Sequence, residues 1–97
     1  MKKRRITPST SVVRKSGILE SEVDEDIIAL DVVQGQCYGF NSSASAIWRL
    51  LETETSVSKI CSILETEFSI ESRACEADVL RVLNELRDQG LISVSGD

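Results

Sequence analysis

Leu30-Asp31-Val32-Val33-Gln34-Gly35-Gln36-Cys37-Tyr38-Gly39-Phe40-Asn41 is the stretch on which the reading of this chain turns. It opens inside an apolar, β-branched run that begins at Ile27 and predicts a buried strand through Val33. Gln34-Gly35 follows as a turn, because glycine takes the positive φ that a tight hairpin requires. Gln36 to Phe40 returns as a second strand. A period of two sends Cys37 and Gly39 to one face and Tyr38 and Phe40 to the other. At Asn41-Ser42-Ser43 the pattern changes, since short oxygen-bearing side chains there satisfy the first amides of a helix.

Towards the N-terminus, Val12-Val13-Arg14 reads as a weak first strand with Ser16-Gly17 as its turn. The acidic run Glu22 to Asp26 reads as a solvated hairpin end. Towards the C-terminus the period becomes helical. Ala44, Ile47, Leu50 and Leu51 share one face with Trp48 beside it, and Thr55-Ser56 caps a second helix whose stripe is Val57, Ile60, Cys61, Leu64 and Phe68. Trp48 and this stripe are expected in the core. Ser69 to Ser72 breaks the pattern before a long third helix, about Arg73 to Gln89, which stops at Gly90. Leu91, Ile92 and Val94 add a closing strand or pack against the core. The order β-β-β-α-α-α predicts an α+β fold resembling a winged helix-turn-helix, with an N-terminal three-stranded antiparallel sheet followed by a three-helix cluster. Residues 1–11 are expected as a basic, mobile tail and residues 12–97 as the folded domain.

Composition narrows the function. The chain of 97 residues, 41% hydrophobic, suits one domain with a modest core. Its longest apolar run, Ile27 to Leu30, is far short of the ~20 residues that span a membrane. No hydrophobic signal segment follows Lys2 to Arg5, so a cytosolic location is expected. Histidine is absent, which removes Ser-His and Cys-His nucleophile pairs and histidine metal sites. The three cysteines, Cys37, Cys61 and Cys75, lack the paired spacing of a zinc site or a disulfide framework and are read as free thiols. No cofactor and no catalytic residue is expected. Charge is divided: residues 1–15 hold six basic and no acidic residues, and the remainder holds five basic against sixteen acidic. That body repels a phosphate backbone.

Several pieces in order resemble the PqqD family. The hairpin Leu30 to Asn41 is similar to its apolar-Asp strand, turn glycine, aromatic strand and Asn. Ala46-Ile47-Trp48-Arg49-Leu50-Leu51 is similar to its first helix, and Thr55-Ser56-Val57-Ser58-Lys59-Ile60 to the start of its second. Ala77 to Leu86 with Gly90-Leu91-Ile92 is similar to its third helix and exit. The likeness covers roughly residues 12–94, departing at Phe40, where an aliphatic residue is commoner, and at Val82, where an aromatic often sits. It implies a recognition element from the biosynthesis of ribosomally made, modified peptides. Such an element binds a precursor's leader segment as an added strand, in a groove between the third strand and the third helix, and has no catalytic residues of its own. The implied partners are that leader and a separate modifying enzyme or leader peptidase, with a lasso-peptide pathway preferred slightly over quinone-cofactor assembly.

On that implication the expected leader-binding residues are Gln36, Cys37, Tyr38, Gly39 and Phe40 on the strand, with Ala74, Asp78, Arg81, Val82 and Glu85 on the helix. Strand addition needs an unpaired row of main-chain groups, and a glycine lets a second backbone approach. Tyr38 would line a side-chain pocket, whereas Phe40 is more readily core. The opposite flank of the helix, with Glu76, Leu80 and Arg87, remains open, as does the direction of the bound strand. No nucleic acid and no membrane is expected as partner, and the chain is expected as a monomer or weak dimer. The alternative is a winged-helix DNA-binding regulator. Against it, Glu71 to Gln89 carries five acidic residues and three arginines, the wrong sign for a recognition helix.

Overall fold

A computed structural model describes residues 6–95. Four strands precede the first helix: β1 (Ser11–Arg14), β2 (Ile18–Val23), β3 (Asp26–Asp31) and β4 (Gln36–Gly39). They are followed by α1 (Ser42–Leu50), the two-residue β5 (Thr55–Ser56), α2 (Val57–Phe68), α3 (Ser72–Asp88) and β6 (Ile92–Ser95). The strands form two antiparallel sheets, ordered β5-β1-β6 and β2-β3-β4.

The α+β class and the three helices agree with expectation, but the single sheet placed ahead of the helices does not. Val12 to Arg14 leaves the hairpin altogether: Val12 pairs with Thr55 on one side and with Val94 on the other. Its place in the hairpin sheet is taken by β2, a strand that the sequence conceals. Glu20, Ser21 and Glu22 look solvated and are exposed, yet all six β2 residues pair with β3 from Ile18↔Asp31 to Val23↔Asp26. Main-chain pairing needs no apolar side chain, so the pattern of burial gave no signal. The acidic run does end in a hairpin turn, with Asp24 and Glu25 both at positive φ. Val32 and Val33 fall outside β3, in the turn before β4. The winged helix-turn-helix description does not capture this arrangement of two sheets.

Helix boundaries follow local chemistry. Asn41 caps α1 by accepting from the Ala44 amide at 2.9 Å, and Ser56 caps α2 by accepting from Lys59 at 3.2 Å. At the end of α3, the Gly90 amide donates to Arg87 and the Leu91 amide to Leu86, a Schellman closure that requires the positive φ of Gly90. The core gathers Val12 and Ile92 from one sheet, Ile27, Ala29 and Phe40 from the other hairpin, and the inner faces of all three helices. Trp48 is wholly buried at its centre. Ile6 and Thr10 are also buried, so packed residues precede Val12; Lys2 to Arg5, the charged part of the expected tail, lies outside the described residues. No helix among the described residues is long and apolar enough to cross a membrane.

One cluster joins the two sheets. Arg14, at the end of β1, lays its guanidinium over the Trp48 ring, 4.7 Å from the centroid, and donates from Nε to the Trp48 carbonyl at 3.0 Å. Glu20 of β2 accepts from both Arg14 and the Trp48 indole. Arg49 of α1 then holds the β2–β3 turn through Glu22 and the Glu25 carbonyl, at 2.8 and 2.7 Å.

Candidate functional site

The β3–β4 hairpin sets the site, and a buried carboxylate shapes it. Asp31 ends β3 at 5% exposure; its Oδ1 accepts from the Val33 and Gln34 amides, and its Oδ2 from the Gln34 side chain. These bonds build the turn that Gly35 completes at positive φ. At the far end of β4 the Phe40 amide donates to Ile27, while Ser45 of α1 accepts from the Ile27 amide and donates to the Phe40 carbonyl. Both ends of β4 are therefore fixed.

This register decides which main-chain groups are available. Gly39 pairs with Ile28 and Phe40 bonds to Ile27, so Phe40, Tyr38 and Gln36 turn their amides and carbonyls toward β3. The alternate residues, Cys37 and Gly39, turn theirs away from it. Among the described residues no strand pairs with that outer edge of β4. A Cβ placed on Gly39 would meet nothing within 4 Å, so the edge is open there.

Side chains divide as the period of two predicts. Cys37 and Gly39 are exposed, Tyr38 is half-buried against the core, and Phe40 is buried, its ring 5.3 Å from that of Trp48. Phe40 thus belongs to the core. Gly39 and Phe40 line a hollow of about 110 Å³, together with Arg81, Val82 and Glu85 of α3. Of the helix residues expected from the sequence, Arg81, Val82 and Glu85 lie beside the strand end. Val82 supplies an apolar floor at 4% exposure, and Arg81 spans the rim, 2.7 Å from Asp78 and 3.1 Å from Glu85. The Asp78 hydrogen bond and charge hold the guanidinium firmly protonated.

The remaining expected residues separate from this hollow. Gln36, Cys37 and Tyr38 lie upstream on the strand and do not line it. Ala74 and Asp78 line a second, larger hollow between α1 and the first half of α3. Asn41, Ala44, Leu86 and Gln89 border the small hollow without having been singled out. Asn41 was legible as a helix cap, and its cap position is what brings it there.

Two of the three cysteines are shielded from solvent, and Cys37 is exposed on β4. Cys61 and Cys75 are buried and free, and burial, then Cys75 and Glu76, pushes the Cys61 thiol up to about 11. Cys75 is likewise raised, chiefly by burial. Among the described residues no group of three His, Cys, Asp or Glu side chains is placed to hold a metal ion.

Comparison with known proteins gives three likenesses in fold and one in family. The family described as Coenzyme PQQ synthesis protein D (PqqD) matches residues 26–92. A structure described as TbiB1 in complex with the TbiA(beta) leader peptide is similar at 22% identity and a TM-score of 0.78, over 88% of this chain and 99% of that one. A lasso peptide synthetase B1 complexed with the leader peptide is similar at 21% identity and a TM-score of 0.74, over 84% of this chain and 96% of that one. The PqqD truncation of Methylobacterium extorquens PqqCD, described as a functional, stand-alone recognition element, is similar at 19% identity and a TM-score of 0.76, over 91% of this chain and 94% of that one. No curated protein matches. At these identities the structures establish a shared fold.

Proposed function

The chain belongs to the PqqD family, and on that premise we propose that it binds the leader segment of a ribosomally made precursor peptide and presents it to a separate enzyme. The observation that carries this reading is the free outer edge of β4, where Cys37 and Gly39 offer amides and carbonyls beside a hollow floored by Val82. A leader pairing there becomes a fourth strand of the β2-β3-β4 sheet. Strand addition supplies affinity through the main chain, and the hollow supplies preference for the leader side chain that points toward α3. Two of the similar structures are described as holding leader peptides, which supports the same use of the fold.

In this reading the protein is non-catalytic. Its role is to raise the local concentration of the precursor at a modifying enzyme or leader peptidase, preferably of a lasso-peptide pathway. It acts in the cytosol, as a monomer or weak dimer. The DNA-binding alternative is set aside, because α3 presents Asp78 and Glu85 on either side of Arg81, a rim that repels phosphate.

Proline substitution tests the proposal. The Cys37 and Gly39 amides face away from β3, so Cys37→Pro and Gly39→Pro leave the hairpin's own ladder intact while blocking an added strand. Titrating fluorescent peptides from the N-terminal half of a precursor encoded beside this chain should show binding by the wild type and at least tenfold weaker binding by both variants. Equal affinity in variants with unchanged circular dichroism would remove the β4 edge from the site.

A further inference from the structure

The largest hollow among the described residues, about 850 Å³, shares no lining residue with the small one beside β4, so strand addition does not account for it. It opens between α1, the end of α2 and the first half of α3. Its floor belongs to the core: Ile47, Leu64, Cys75 and Val79 are each 7% exposed or less. Phe68 and Ile70 form a wall. The spacing of the α2 stripe predicts Phe68 inside the core, yet Phe68 is 53% and Ile70 41% exposed. Two large apolar side chains beside an apolar floor forgo hydrophobic stabilisation that a covering partner would restore.

The rim selects the kind of partner. Glu25, Glu67 and Asp78 border it, with Arg49 as the lining cation. Arg49 already serves Glu22 and the Glu25 carbonyl, and Asp78 is paired with Arg81. The carboxylates of Glu25 and Glu67 are left uncommitted among the described residues. An apolar centre inside a charged rim is the anatomy of a protein–protein contact. Of the four floor side chains only Cys75 carries a polar group, and its thiol donates to the Cys61 carbonyl at 3.7 Å. Nothing on the floor would therefore orient a small molecule as a ligand pocket does. The space takes several side chains at once, as a helix presents them at i, i+3, i+4 and i+7.

We propose that this hollow is where the partner enzyme docks, by an amphipathic helix whose apolar face covers Phe68, Ile70 and the floor and whose flanking lysines or arginines face Glu25 and Glu67. This rests on the presenting role proposed above. A chain that presents a leader has to hold leader and enzyme at once, and two hollows without a common residue permit that. Uncommitted carboxylates at the rim also draw a basic partner during encounter and disfavour an acidic one.

The test uses the full chain, the purified modifying enzyme encoded beside it and the precursor-derived peptides, with enzyme and peptide affinities measured separately by biolayer interferometry. Phe68→Ser combined with Ile70→Ser strips the exposed wall and leaves the floor in place. It should weaken the enzyme at least tenfold and leave the peptide unchanged. Glu67→Lys should weaken the enzyme several-fold, an effect that shrinks as salt rises. Gly39→Pro should do the converse, losing the peptide and keeping the enzyme. A synthetic helix of leucine and lysine should displace the enzyme, and one of leucine and glutamate should not. If the wall and rim variants bind the enzyme as tightly as wild type, or the wild type binds the peptide and no enzyme, the docking site is wrong and leader binding stands. If the wall variant loses the peptide in place of the enzyme, the hollow belongs to the leader. A wild-type dimer that the wall variant dissolves would assign it to a second copy. If the wild type binds no precursor peptide, leader binding itself fails.

Discussion

The two sheets formed by the described residues have three antiparallel strands each, and they are used in opposite ways. The β5-β1-β6 sheet is assembled from segments some forty residues apart and is sewn into the body at every turn. The Arg14 and Lys15 amides donate to the carbonyls of Leu51 and Leu91, and those of Val57 and Ser58 to Thr10 and Pro8. Val12 at its centre is fully buried. The β2-β3-β4 sheet is one contiguous meander, attached chiefly by its inner face. Its outer face leaves Leu19, Ile28 and Leu30 exposed, and its β4 edge unpaired among the described residues. One sheet spends its hydrogen-bonding groups on stability. The other keeps some of them available, which is the requirement for adding a strand from another chain.

The contrast can be broken most severely in the first sheet. Val12→Asp would place an unpaired carboxylate between β5 and β6 in the core. We expect a loss of about 3–5 kcal/mol, enough to abolish the cooperative transition in thermal melts. A variant that still melts within a few degrees of wild type would show that the folded unit does not depend on this sheet. At the joint between the sheets, Arg14→Ala removes the stacking on Trp48, the bond to its carbonyl and the contact with Glu20. A cost of about 1–2 kcal/mol in urea unfolding is expected. No measurable change would mean that the sheets are held together by packing alone. The smallest effect belongs to the open face. Leu30→Ser, at 39% exposure, should shift stability by about 0.5 kcal/mol or less, and a loss well above 1 kcal/mol, dependent on protein concentration, would reveal that copies cover this face in solution.

The same division explains which parts of the molecule could be read in advance. The β3–β4 hairpin, the caps at Asn41 and Ser56 and the stop at Gly90 are local devices: their causes lie within a few residues of their effects. The identity of the candidate strand edge was equally local, since the alternation of Cys37 and Gly39 with Tyr38 and Phe40 fixes which side chains turn outward. In the sequence Arg14 belongs to a basic N-terminal stretch, and nothing near it announces that it sits on Trp48, thirty-four residues away. Asp31 resembles a family pattern in the sequence, but its work in building the turn is visible only with the Val33 and Gln34 amides in place.

Sequence by itself determined the helices, the hairpin and the absence of histidine chemistry, because periodicity, capping and composition act over short distances. Only the tertiary structure decided that Val12 to Arg14 joins Thr55 and Val94 in place of the neighbouring hairpin, that a polar segment at Ile18–Val23 is a strand, and that Ala74 and Asp78 border a different hollow from Arg81 and Glu85. Those outcomes depend on which distant backbone groups find one another, and main-chain hydrogen bonds carry no residue code from which the partner could be read.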